Sequence, residues 1–234
     1  MSELSIIIPA RNEVTSIEEL FRRIDETLNK VDIRYEIIFM DSHSTDNSIL
    51  VASQLTSRYP VHVYSQKNSK GKAGAILEGI AHAASPYIIM IDGDLQYPPE
   101  AIPTMYAARF RSKVVVARRK VYKERFIRKV FSFIHHFLFT QLLFGLRCDV
   151  QSGLKLFPRN IVNYLDSSYI SSWTFDLALL YTAKKLGYSI GEVPIVFEER
   201  KNGASKVSIL GSIWEHSISM LKFKFFPPIV KKRK

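Results

Sequence analysis

Short apolar runs alternate with stretches of helical period along the first half of the chain. Leu4 to Ile8, Tyr35 to Met40, Val61 to Tyr64, Tyr87 to Ile91 and Lys113 to Ala117 read as strands. Between them, Ile17, Leu20, Phe21, Ile24 and Leu28 recur at helical spacing, and Ser16 precedes Glu19 by three residues, the arrangement of a capping box. Alternating strand and helix predicts right-handed crossovers. The expected architecture is therefore α/β, a Rossmann-like, mostly parallel central sheet flanked by helices.

The second half is more helical. Thr174 to Leu186 predicts an amphipathic helix that Gly187 can close, Tyr188 to Phe197 a strand, and about Ser208 to Phe225 a last helix stopped by Pro227-Pro228. Residues 126–146 are apolar and aromatic but contain His135, His136 and Gln141, so they fall short of the roughly 20 largely apolar residues of a spanning helix. With Arg125, Arg128 and Lys129 at one end and Arg147 at the other, they predict one or two helices at a membrane interface, a packed core helix being the other reading. No internal repeat or low-complexity linker interrupts the chain. The expected organisation is one domain over residues 1–207, with 119–147 as acceptor and interface helices, and a C-terminal amphipathic helix and basic tail over 208–234.

At 234 residues, 47% hydrophobic and 24% charged, the chain has the composition of a globular protein with a sizeable core. Cys148 is the single cysteine and has no intrachain partner, and no charged-then-apolar signal segment opens the sequence. Both favour a reducing, cytosolic-facing setting. The net charge of +11 is unevenly placed: residues 109–129 hold ten Lys or Arg against one Glu, and residues 222–234 add six more with no acid, leaving the rest net −4. Two basic patches on an otherwise acidic body imply phosphate-rich partners.

Strand ends carry the candidate chemistry, as expected where ligands bind at the carboxyl edge of a parallel sheet. The run Ile88 to Ile91 delivers Asp92 and Asp94 two positions apart, with Gln96 two further on. On an extended chain these side chains share one face, and paired oxygen ligands suit a hard divalent cation, Mg²⁺ or Mn²⁺. Gly93 between the acids leaves room for a close approach.

Ser5-Ile-Ile-Ile-Pro-Ala-Arg-Asn-Glu13, then Asp41 to Asp46, then Lys70-Gly-Lys-Ala-Gly-Ala75, then Asp92-Gly-Asp94, resemble the nucleotide-sugar-binding half of family 2 glycosyltransferases, whose fold is the GT-A type. The later segments Asp149-x-x-Ser152-Gly153-x-Lys155-x-Phe157, Gly191 to Ile195 and Phe197-x-x-Arg200-x-x-Gly203-x-Ser205-Lys206 resemble the dolichol-phosphate mannose synthase group and related polyprenyl-phosphate glycosyltransferases, so the likeness covers nearly the whole chain. The resemblance implies that Pro9, Arg11 and Glu13 line the ribose, that Asp41 contacts the base, that Lys72 joins the donor site, and that Asp92, Asp94 and Gln96 hold the metal. It places Arg118, Arg128 and Ser152 at the acceptor and Arg200 and Lys206 on a loop closing over the donor. Asp94, Arg118, Arg200 and Lys206 are thereby its catalytic residues. Many members carry two acids and a glycine where this chain has Asp41-Ser42-His43, which leaves the base open between guanine and uracil.

The reaction implied is metal-dependent, inverting transfer of a hexose, mannose or glucose, from a GDP- or UDP-sugar to dolichyl or other polyprenyl phosphate, by a peripheral or monotopic protein at the cytosolic membrane face. A lipid phosphate is already ionised and needs no general base, so Asp176, in a region where many relatives in the wider family place one, is free for structure or acceptor alignment. A hydroxyl acceptor would require Asp176 as base. A non-enzymatic lipid- or nucleic-acid-binding role is the alternative of another class; the intact donor motifs oppose it, and no nucleic-acid-binding motif is present. The first strand leads into Pro-Ala-Arg-Asn-Glu rather than a glycine fingerprint, which excludes a dinucleotide-binding dehydrogenase.

Overall fold

The computed structural model describes residues 2–67, 71–120, 144–165, 174–198 and 225. Seven strands form one sheet: β1 Leu4–Ala10, β2 Tyr35–Asp41, β3 Val61–Ser65, β4 Tyr87–Met90, β5 Val114–Lys120, β6 Lys155–Pro158 and β7 Ile190–Val196. Their order is β3-β2-β1-β4-β6-β5-β7, with every neighbouring pair parallel except those that β6 makes with β4 and β5. The helices are α1 Ile17–Asn29, α2 Ser48–Gln54, α3 Gly71–His82, α4 Ile102–Ala108 and α5 Phe175–Lys185.

Both faces of the sheet are covered, which is why its central strands are uniformly apolar rather than alternating. On one face Ile6, Ile8, Ile37, Phe39 and Ile89 pack with Leu20, Phe21 and Ile24 of α1. On the other, Ile7, Ile38, Met40, Ile88 and Met90 pack with Ile76 and Ile80 of α3 and with Phe175 and Leu179 of α5.

The five strands expected in the first half and the mostly parallel sheet are present. β6 was not expected. It is only four residues long and opens with Lys155, whose side chain is 0% exposed, so neither its length nor its polarity signals a central strand. The capping box at Ser16 is not formed either: its hydroxyl is not a helix cap but lies 2.6 Å from the Gly93 carbonyl, and Glu19 pairs with Arg22 at 2.8 Å. Ser16 thus ties the start of α1 to the turn that carries Asp92 and Asp94. Most of the expected interface segment, the residues 121–143, lies outside the described residues, as does the C-terminal 208–234 segment apart from Phe225.

Candidate active site

Parallel register brings the ends of the central strands to one edge. Ala10 stands beside Asp41, Ile7 beside Met90, and the Ile91 amide donates to the Ile7 carbonyl at 3.1 Å. Beyond this edge opens a cleft of about 560 Å³. β1 and the loop after it contribute Pro9, Ala10, Arg11 and Glu13; the loop after β2 contributes Ser42 and His43; Gln66 follows β3; Gly71 and Lys72 open α3; and Asp92, Gly93 and Asp94 follow β4.

The first two loops are locked to each other. The Asn12 amide donates to Ser44 Oγ at 2.9 Å, the Thr45 amide to Asn12 Oδ1 at 2.7 Å, the Glu13 amide to Ser48 Oγ at 2.9 Å and the Val14 amide to Asp46 at 3.3 Å. The Asp46 carboxyl is held below the usual aspartate range: burial pushes it up, but the Ser48 hydroxyl and amide and the Val14 amide outweigh that push. Asn12 and His43 both adopt left-handed backbone, with φ of 57° and 56°. His43 occupies the position where the resemblance expects glycine, a residue that takes this conformation without steric cost. Asp41 lies just behind this wall, 4% exposed. Its Oδ2 accepts from the Ser44 amide at 3.2 Å, and its Oδ1 has no hydrogen-bond partner among the described residues.

The two expected metal carboxylates both reach the cleft, but not by strand alternation. β4 ends at Met90, and Asp92 to Asp94 form a turn followed by Leu95 at φ 62°. Asp92 Oδ1 is buried and is paired with Lys72 Nζ at 2.5 Å, its one partner among the described residues. Its other oxygen faces Gly153, where a Cβ would stand only 2.2 Å away. That close approach, rather than any crowding at Gly93, is what requires glycine here; a Cβ on Gly93 would meet its neighbours at an ordinary 3.5–3.7 Å. Gln96 is turned elsewhere, because its side-chain amide donates to the Glu198 carbonyl at 3.3 Å, and it does not line the cleft. Two carboxylates on one turn, one of them with a buried oxygen whose one partner is a cation, suit a hard cation of the Mg²⁺ or Mn²⁺ type. Asp92 and Asp94 are the residues that would hold it. Among the described residues no group of three or more His, Cys, Asp or Glu completes such a site.

β6 runs antiparallel to β4 and pairs Lys155 with both Met90 and Val116, so the Ser152-Gly153 turn arrives level with Asp92 and with Arg118. Ser152 is not presented to a ligand: fully buried, its hydroxyl donates to the Leu154 carbonyl at 3.2 Å and accepts from the Leu154 amide at 3.3 Å. Ser152, expected at the acceptor, thus closes its own turn with its hydroxyl. Lys155 Nζ is directed at the Ser152 carbonyl and at Asp176 Oδ1, the latter at 2.6 Å. Arg118 is 55% exposed and only 4.0 Å from Glu192, leaving its guanidinium available. Arg128, Arg200 and Lys206 lie outside the described residues.

Sequence reasoning missed the pair beside this turn. Arg119 grips Asp149 with two bonds of 2.7 and 2.9 Å, and its guanidinium lies 5.5 Å from the Phe197 ring centroid. Burial raises the Asp149 carboxyl, yet Arg119 pulls it below the ordinary aspartate range. Burial also pushes the Tyr97 phenol up to about 12, with Asp92 and Asp149 adding to the rise against Arg119. The available signal was the acid that opens Asp149-x-x-Ser152-Gly153, which needs a cation partner if buried. The Lys72 ammonium is held above the usual lysine range, since the charges of Asp92 and Asp176 outweigh its desolvation.

Comparison with known proteins places this arrangement. A family profile described as "Glycosyl transferase family 2" matches residues 5–165, more than half of the chain. The chain belongs to glycosyltransferase family 2. Among curated relatives, the dolichol-phosphate mannosyltransferase of Pyrococcus furiosus is 32% identical over 213 residues, covering 88% of this family 2 chain and 59% of its own length. The chain thus spans about three fifths of that relative. Among solved structures, mannosyl-3-phosphoglycerate synthase from Rubrobacter xylanophilus superposes with a TM-score of 0.77 at 16% identity, over all of this chain and 77% of the other. Glucosyl-3-phosphoglycerate synthase from Mycobacterium tuberculosis, in complex with Mn²⁺ and UDP-glucose, superposes with a TM-score of 0.73 at 20% identity, over 95% and 79%. At those identities the likeness establishes the GT-A fold.

Proposed function

We propose that this family 2 glycosyltransferase moves a hexose, mannose or glucose, from a nucleoside-diphosphate sugar to a polyprenyl phosphate of the dolichyl type. The observation that carries the reading is the engagement of Asp176 by the buried Lys155 ammonium at 2.6 Å, beside a cleft lined by Arg11, Lys72, Asp92 and Asp94. A carboxylate so engaged is poorly placed to accept a proton from a hydroxyl, whereas an ionised phosphate needs none removed. The curated relative points to the same class of acceptor by name. The phosphoglycerate synthases, similar in fold alone, point to other phosphorylated acceptors.

In this reading Pro9, Arg11 and Glu13 flank the ribose, and Asp41 with His43 forms the base end of the cleft. A divalent cation, Mg²⁺ or Mn²⁺, on Asp92 and Asp94 would neutralise charge on the leaving diphosphate. Lys72 and the amide end of α3 attract the same phosphates, and Arg118 receives the acceptor phosphate, with Arg128, Arg200 and Lys206 completing the charge balance. An acceptor phosphate oxygen bonds to the sugar C1 as the bond from C1 to the diphosphate oxygen breaks, with inversion and with no covalent intermediate on the protein. The basic and aromatic 119–147 and 208–234 segments bring the cleft to the headgroup plane at the cytosolic face, each basic residue near an anionic surface contributing roughly 1 kcal/mol. No helix among the described residues is long and apolar enough to cross a membrane.

The test is Asp176→Asn together with product stereochemistry. Freeing the buried Lys155 costs about 3 kcal/mol of stability, but protein that remains folded keeps most of its turnover and yields product of inverted anomeric configuration. Folded protein without turnover would establish a base and hence a hydroxyl acceptor; a retained configuration would exclude direct displacement.

A further inference from the structure

We propose that Lys72 is a latch on the cation site: in the nucleotide-free protein its ammonium takes the place beside Asp92 that a divalent cation takes in the loaded protein, so metal binding waits on the donor. The inference rests on the donor-site reading above. Lys72 Nζ stands 2.5 Å from Asp92 Oδ1, and that buried oxygen has no other partner among the described residues. The second oxygen of the carboxylate occupies the space that a side chain at position 153 would need, 2.2 Å from where a Cβ would be.

The other expected ligands do not compensate. Asp94 Oδ1 accepts from the Gln96 backbone amide at 3.2 Å, and Gln96, whose Nε2 donates to the Glu198 carbonyl, does not line the cleft. A dication arriving alone therefore meets one carboxylate already neutralised and one partly engaged. It must expel a cation to gain few ligands, which is unfavourable for an ion that gives up its waters reluctantly. A nucleoside diphosphate changes both terms. Its oxygens add ligands for the metal, and they offer Lys72, on a flexible four-carbon stem in the first turn of α3, a richer set of acceptors beside Gly71. Drawing the ammonium off Asp92 opens the site. Lys72 is then both a phosphate ligand and the residue that makes metal and nucleotide bind cooperatively.

The experiment titrates Mn²⁺, followed by the loss of the free-ion electron paramagnetic resonance signal, into the native chain, Lys72→Met and Arg11→Met, each with and without UDP or GDP. Both variants remove one positive charge from the cleft, but only Lys72 touches Asp92. If the latch is closed in about nine molecules of ten, Lys72→Met binds Mn²⁺ alone about tenfold more tightly than the native chain. Arg11→Met binds Mn²⁺ alone about as the native chain does, so the gain without nucleotide is confined to Lys72→Met. Equal Mn²⁺ affinity in the native and Lys72→Met chains, or equal gains in both variants, overturns the latch while nucleotide-enhanced binding leaves the donor site standing. Absence of Mn²⁺ binding with either nucleotide in the native chain overturns the donor-site reading, and the latch with it. Should Lys72→Met not fold, Mg²⁺ titrations of the native chain read Lys72 directly through its ¹⁵Nζ resonance. Movement only when nucleotide accompanies Mg²⁺ supports the latch, and movement with Mg²⁺ alone refutes it.

Discussion

Substituting Gly153 by alanine tests the geometry of the site more sharply than removing any charged residue, because it adds one methyl group and removes nothing. The new Cβ would lie 2.2 Å from Asp92 Oδ2, 2.5 Å from its Cγ and 2.8 Å from the Tyr97 ring. Tyr97 is buried and packs edge-on against Phe197 with ring centroids 5.0 Å apart, so the ring has little room to retreat. The carboxylate must therefore move by about 1 Å to restore ordinary contact. Overpacking of this kind costs about 1–3 kcal/mol, and for a chain of this length each kcal/mol lowers the melting temperature by about 2–4 °C. A 1 Å displacement of a positioned group costs about a hundredfold in rate. Calorimetric melting, Mn²⁺ titration and turnover measured on the same preparation separate these effects: Gly153→Ala melts a few degrees lower, holds metal and nucleotide together less tightly, and turns over about a hundredfold more slowly. Turnover within threefold of native and unaltered metal affinity would refute the claim that Gly153 seats Asp92.

Three further outcomes are expected. Burial pushes the Glu36 carboxyl up, but bonds from Ser5 Oγ at 2.5 Å, the Ala84 amide at 3.0 Å and Ser85 hold it below the usual range. Its contribution is then full above the unfolded value of about 4.3 and is lost as pH falls through the lower folded value. Urea melts of Glu36→Gln are weaker at neutral pH and show a shallower acid limb; an unchanged limb refutes the assignment. Arg119→Ala leaves the buried Asp149 without its two-bonded partner and loses about 3 kcal/mol, and Arg119→Lys restores only part because it cannot make both bonds; equal stability of all three by chemical denaturation contradicts the pairing. His43→Gly relieves left-handed strain of about 1–2 kcal/mol against the greater chain entropy of glycine, for a net gain of about 0.5–1 kcal/mol; a lower denaturation midpoint contradicts this.

The parts legible in the sequence were those in which one chemical property decides. Short, uniformly apolar runs such as Ile88 to Ile91 pointed to strands inside a covered sheet, and Pro9, Arg11, Glu13, Lys72, Asp92 and Asp94 all line the cleft at its edge. What escaped was decided by tertiary partners. Lys155 has the character of a surface residue and is wholly buried because Asp176 and the Ser152 carbonyl receive its charge. Arg118 and Arg119 are adjacent in one basic run, yet strand alternation exposes the first and gives the second to Asp149. Period two placed Asp92 and Asp94 on a shared face of a strand, whereas a turn carries them into the cleft, and Gln96, assigned beside them, is captured by Glu198.

Transfer to a lipid phosphate is read directly by incubating the chain with labelled GDP- and UDP-hexoses and polyprenyl phosphate in vesicles. Mg²⁺ or Mn²⁺ is supplied in one arm and a chelator in the other. Label is expected in the lipid phase from one donor, only with metal, in a product of inverted anomeric configuration. Hydrolysis of a nucleotide sugar without lipid labelling, or labelling confined to a water-soluble acceptor, would contradict transfer to a lipid phosphate.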